Sequence, residues 1–117
     1  MKREELLFIE DILESMNLLE KFSKGLTKEK FIKDKLKQSA IIRQIEIIGE
    51  AAKNISNEIK KKYPEIEWRK IIGTRDIFSH AYFEIVLDRV WDIVENNLND
   101  LKQKIIKIKK DLTSKEK

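Results

Sequence analysis

Three glycines and one proline, at positions 25, 49, 73 and 64, are all that would break helices across 117 residues. A fold built of short strands needs a turn roughly every 8–12 residues, which so few breakers do not provide, so long helices are expected. The length suits one domain, and 41% hydrophobic with 39% charged residues describes a globular chain with a single core. Without cysteine there is no disulfide, thiolate metal site or cysteine nucleophile. The lone histidine, His80, rules out a His-rich zinc cage within one chain, so neither metal nor cofactor is expected. No apolar run approaches the roughly 20 residues of a membrane span. Glu4, Glu5, Glu10 and Asp11 interrupt the apolar N-terminal stretch, which is unlike a secretory signal. The expectation is a cytoplasmic, single-domain helical protein.

Charge is unevenly placed. The formal balance of 25 basic against 21 acidic residues is +4. From Lys102 to Lys117, seven lysines face Asp111 and Glu116, a local balance of +5, which leaves −1 for the rest. Such a segment holds a polyanion through counterion release, or it is a solvated helix end whose lysines complement the dipole. One helical domain is expected over residues 1–112, followed by a charged tail at 113–117.

Periodicity fills in the helices. The first runs from about Arg3 to Lys24 and is stopped by Gly25. Its stripes Leu6–Ile9–Leu13–Met16 and Phe8–Ile12–Leu19–Phe22 make a face too wide for one packing partner. Thr27 suits the N-cap of a short turn through Phe31, before a long helix to about Ile55 on which Gly49 predicts a close helix contact. Ser56 or Asn57 caps a short helix ending at Tyr63, since Pro64 disfavours helical geometry in the residue before it. Pro64, Glu65 and Glu67 then suit the first turn of a helix carrying Trp68, Ile71 and Ile72. Finally, Trp91, Val94, Leu98, Leu101, Ile105, Ile108 and Leu112 alternate steps of three and four, a narrow seam that closes a bundle or zips two chains. Trp68 and Trp91 are expected to anchor the core or an interface. The expected fold is an all-α, up-and-down bundle of four to five helices.

The segment GTRDIFSHAY, Gly73 to Tyr82, concentrates the available chemistry. Arg75 and His80 lie five residues apart, about 140° around an ideal helix, so they do not share a face. Asp76 and His80, four apart, do. If Arg75 and His80 act on one substrate atom, either the helix distorts near Ser79 or a second copy of the chain completes the site; symmetry favours the second copy. Arg69 and Lys70, one to two turns earlier, are either phosphate contacts or solvated surface.

Arg75, Asp76, three further residues and His80 resemble the signature of the HEPN superfamily of helical nucleic-acid-processing domains. The extension to Tyr82 is similar to HepT, the toxin of HepT/MntA toxin–antitoxin pairs. IEIIGEAAKNIS (Ile45–Ser56), YPEIEWRKIIGTRDIFSHAYF (Tyr63–Phe83) and Val90–Trp91 resemble that family in order and spacing, over roughly Lys35 to Leu101. Val86 is a departure, standing where such sequences often carry a capping Asp.

The resemblance implies a homodimeric HEPN-type bundle acting as a metal-independent endoribonuclease. His80 would take the proton of a ribose 2′-hydroxyl, near its unperturbed pKa of about 6.5. Arg75 would hold the phosphate and stabilise the transition state, and Asp76 would orient His80. It also implies that an MntA-like nucleotidyltransferase transfers AMP to Tyr82, placing bulk and negative charge where RNA must sit. Two other readings stand beside it. The chain could be a non-catalytic partner of such a nucleotidyltransferase, with His80 structural, or a coiled-coil adaptor resting on the Trp91–Leu112 heptads, which leaves the motif without a role.

Overall fold

The computed structural model describes residues 3–80 and 83–115, with side chains for 3–74 and 86–114. The described residues form helices α1 (Arg3–Ser23), α2 (Lys28–Lys33), α3 (Lys35–Lys53), α4 (Asn57–Lys62), α5 (Trp68–His80), α6 (Phe83–Asp92) and α7 (Leu98–Lys115). A π-helical turn, Ile93–Asn97, joins α6 to α7 without a break. Four long helical segments (α1, α3, α5 and the α6–α7 unit) build an all-α bundle, and the six-residue α2 and α4 are connectors. Among the described residues no helix is long and apolar enough to cross a membrane.

Local chemistry explains the boundaries. Gly25 adopts φ 72° just past α1, the left-handed geometry that closes a helix C-terminus without a Cβ clash. Thr27 caps α2 by accepting from the Lys30 N–H at 3.2 Å. Asp34 ends α2 and starts α3, its N–H donating to the Phe31 carbonyl at 3.2 Å and its carboxylate accepting from the Lys37 N–H at 3.0 Å. Buried Gln38 reinforces that corner by donating to the Phe31 and Ile32 carbonyls at 2.9 and 2.8 Å, which satisfies the end of α2 from inside the core. Ser56, as expected, caps α4 by accepting from the Ile59 N–H at 3.2 Å.

One boundary differs from expectation. Pro64–Glu67 does not form the first turn of α5, which begins at Trp68. The chain turns instead, with the Ile66 N–H donating to the Tyr63 carbonyl at 3.2 Å and the Trp68 N–H to the Ile66 carbonyl at 2.9 Å. The same Tyr63 carbonyl accepts from the Trp68 indole at 3.1 Å. This turn puts Ile66 and Trp68 in the core, and their burial outweighs the N-terminal preference of Pro64 for a helix.

The wide face of α1 has two partners, as its double stripe required: α1 packs on both α3 and α7. Ile9, Ile12, Met16 and Leu19 are buried between them, each contributing about 1.5–3 kcal/mol over exposure. Helix α1 runs antiparallel to α3, for the Glu5 carboxylate accepts from the Ser56 N–H at 3.2 Å. The pair Lys102–Glu20, at 2.5 Å, ties α7 to the far end of α1.

The closing seam is shifted by one residue in α6. Val90 is fully buried, while Trp91 is half-buried, its ring 5.5 Å from that of Phe31. The inward positions therefore step from buried Val90 through half-buried Val94 to buried Leu98, two fours in succession, before the three–four alternation resumes. The π-helical turn absorbs the extra residue, so α6 and α7 both face the core. Val86 is buried inside α6 and caps nothing.

Candidate active site on helix α5

Helix α5 is positioned by its contact with α3. A Cβ placed on Gly49 would lie 3.1 Å from the Ile71 carbonyl oxygen, 3.6 Å from Thr74 Oγ1 and 3.8 Å from the Ile72 carbonyl oxygen. The absence of a side chain at Gly49 lets the two backbones meet, as its place in a helix rich in Ile and Ala predicted. Thr74 turns its hydroxyl inward, donating to the Ile71 carbonyl at 2.7 Å.

Arg75, Asp76 and His80 occupy the last two turns of α5, which is α-helical through His80. A distortion near Ser79 is therefore not what the backbone does, and positions 75 and 80 stay about 140° apart around the axis. Positions 76 and 80 stay one turn apart on one face. The side chains of these three residues, and Tyr82 altogether, lie outside the described residues.

Arg69 and Lys70 are exposed on the first turn of α5. Lys70 pairs with Glu67 at 2.7 Å, and its ammonium holds the Glu67 carboxyl below the usual carboxylate range. A pair so exposed exchanges readily with solvent or a phosphate.

Beyond Lys70, Ile71 and Thr74 a cleft of about 370 Å³ separates α5 from the π-helical turn and α7. Its floor is apolar, with Met16, Leu19, Ile45 and Ile48. Arg89, Asn97 and Lys104 stand on its rim with Asp92 and Asp100; Lys104 pairs with Asp100 at 2.9 Å. The rim residues were not singled out in the sequence. Their only signal was the doubled step Val90–Val94–Leu98, which marks the π-helical turn beside them. Among the described residues no three His, Cys, Asp or Glu side chains gather as metal ligands.

Comparison with known proteins agrees with the motif. The family model described as Ribonuclease HepT-like matches residues 12–108, from the middle of α1 to α7. A Thermococcus cleftensis protein named "Probable ribonuclease HepT" is 43% identical over 110 residues, 94% of this chain and all of that protein. A Methanocaldococcus jannaschii protein named "Putative RNase" is 42% identical over 97 residues, 82% of this chain and 80% of its own. Another from that organism, named "Gamma-glutamylcyclotransferase and putative RNase", is 38% identical over 112 residues, 96% of this chain but 50% of its own length. No solved structure shows a significant match to the chain. With its model spanning α1 to α7 and with full-length relatives, the chain belongs to the HepT-like ribonuclease family.

Proposed function

We propose that this protein is a metal-independent endoribonuclease that cleaves RNA by attack of a ribose 2′-hydroxyl on the adjacent phosphate, at a site built by two copies of the chain. The family match across residues 12–108 carries this reading, and the relatives bearing ribonuclease names support it. The unbroken α5 supports the two-copy site: one helix with Arg75 and His80 about 140° apart does not aim both at one phosphate, whereas a symmetric pair brings two α5 helices to one place.

In this mechanism the His80 imidazole removes the 2′-hydroxyl proton as the 2′-oxygen bonds to phosphorus. The bond from phosphorus to the 5′-oxygen breaks, and that oxygen takes a proton from the second copy's His80. The products are a 2′,3′-cyclic phosphate and a free 5′-hydroxyl. Arg75 binds the non-bridging oxygens with its planar fork and stabilises the charge that builds up in the five-coordinate transition state. Asp76 orients the imidazole from one turn away, and Arg69 and Lys70 hold flanking phosphates. Tyr82 is the regulatory position, where an MntA-type nucleotidyltransferase transfers AMP from ATP to the phenolic oxygen with release of pyrophosphate, and the added phosphate repels RNA. The protein is thus the toxin of a toxin–antitoxin pair acting in the cytoplasm.

A matched pair of oligonucleotides tests the chemistry. The wild-type chain should cut a natural RNA 20-mer and leave its fully 2′-O-methylated counterpart whole, and His80→Ala should cut neither. Cutting of the methylated strand would remove the 2′-hydroxyl from the mechanism.

A further inference from the structure

We propose that lysines from α4 and α7 form an RNA-holding surface at the end of the bundle remote from His80, engaging substrate phosphates several nucleotides from the scissile bond. This rests on the ribonuclease reading for its substrate, but the surface is a separate site. Two lysine clusters far apart in sequence meet there: Lys60, Lys61 and Lys62 end α4, while Lys107, Lys109 and Lys110 lie on α7. What joins them is Tyr63, a residue 3% exposed, whose hydroxyl donates to the Asp111 carboxylate at 2.6 Å. A second tie lies alongside, from Lys104 Nζ to the Glu65 carbonyl at 3.2 Å.

The chain segments 60–63 and 107–111 thus carry six lysines against one acid, Asp111, and that acid is engaged by Tyr63. Lys61, Lys107 and Lys110 are exposed. Four other lysines, Lys28, Lys70, Lys102 and Lys104, each have a carboxylate within 3.3 Å. No described carboxylate is so paired with Lys61, Lys107 or Lys110. Lys61, Lys107 and Lys110, three like charges without a described carboxylate paired to them, favour a polyanion that releases its own counterions on binding. Nucleic acid fits better than an anionic membrane, because Ile106 is the one large apolar side chain exposed along this part of α7, and interfacial helices need a broad apolar face.

Geometry sets the reach. Trp68 ties the start of α5 to Tyr63 through its indole N–H at 3.1 Å, and His80 lies 12 residues further along the helix, about 18 Å at 1.5 Å per residue. A stacked strand carries one phosphate per about 3.4 Å, so about five nucleotides span the two sites. Oligonucleotides of two or three residues reach only one of them.

The test uses a 2′-O-methyl RNA 20-mer, which keeps the phosphates but lacks the attacking hydroxyl, so binding is read whether or not the chain cleaves RNA. Wild type, the triple variant Lys61→Gln/Lys107→Gln/Lys110→Gln and a control triple at exposed Lys24, Lys30 and Lys33 are titrated from 50 to 200 mM salt. The expected result is a salt slope shallower by about two for the α4–α7 variant, three contacts at about 0.7 each, with affinity at 50 mM at least about tenfold lower. The control should match wild type. Equal slopes in all three proteins, or an equal loss in the control, would overturn the proposal. So would wild-type binding to phosphatidylserine vesicles that the 20-mer does not displace. If the lysine effect holds while natural RNA stays uncut, the surface stands and the ribonuclease reading falls.

Discussion

Two glycines in helices should respond to the same substitution with opposite signs. At Gly73 no described atom lies within 4 Å of an added Cβ, so Gly73→Ala should gain the ordinary helix preference of alanine, about 1 kcal/mol. At Gly49 the added Cβ would stand 3.1 Å from the Ile71 carbonyl oxygen, closer than van der Waals contact allows. The obstacle is backbone, in a helix already fixed by the burial of Trp68 and Ile66, so it cannot swing aside as a long side chain would. Overpacking of this kind costs about 1–3 kcal/mol, from which the helix preference recovers about 1 kcal/mol. Gly49→Ala should therefore lose about 1 kcal/mol net, and Gly49→Val, with two further methyls, about 3 kcal/mol. For a domain of this size 1 kcal/mol corresponds to about 4 °C in Tm. Thermal and urea unfolding of the variants would show it: Gly73→Ala melting above wild type, Gly49→Ala below it and Gly49→Val lowest. If Gly49→Ala rose with Gly73→Ala, the close approach of α3 and α5 would be wrong, and with it the positioning of the motif helix.

Other expectations follow from single contacts. Burial, and then the Asp111 carboxylate to which it donates, push the Tyr63 phenol up from 10.0 to about 12. Because the folded value lies above the unfolded one, this stabilisation is complete below pH 10 and lost as pH rises toward 12; Tyr63→Phe should flatten that alkaline decline relative to wild type, and an unchanged decline would deny the shift. Phe31→Ala, which empties a fully buried site against Trp91, should cost about 3–5 kcal/mol in urea unfolding. Deleting exposed Asn96 should turn the π-helical turn into ordinary α-helix and leave Tm within a few degrees, because it removes the one residue that turn absorbs. Deleting Lys109 should rotate Leu112 away from the core by about 100° and destabilise the protein severely; equal effects from the two deletions would refute the phase argument.

What the sequence made legible was whatever local chemistry decides. Gly25 ended α1, Ser56 capped α4, the double stripe of α1 found its two partners, and Gly49 marked the close helix contact. The short element capped by Thr27 and the long helix after it were legible too, though not the buried Gln38 amide that closes α2 at Asp34. Two features escaped because distant residues decide them. The start of α5 moved from Pro64 to Trp68 because Ile66 had to reach the core. Trp91 fits the heptad arithmetic as well as Val90 does, and only the π-helical turn separates them. The motif was legible in its residue types and in the five-residue spacing of Arg75 and His80, which the straight backbone of α5 preserves. The cleft beside it was not, because its lining comes from six helical elements and the turn before α5.

The measurement that bears most directly on the proposed activity is the chemistry of the ends that the protein leaves. The unmodified chain, shown by mass spectrometry to carry no AMP, is incubated with RNA in EDTA beside His80→Ala and Arg75→Ala, and the new 3′ ends are mapped. The account predicts 2′,3′-cyclic phosphates from the wild type alone. Ends bearing a 3′-hydroxyl, cleavage that returns only with added magnesium, or an active His80→Ala would contradict it.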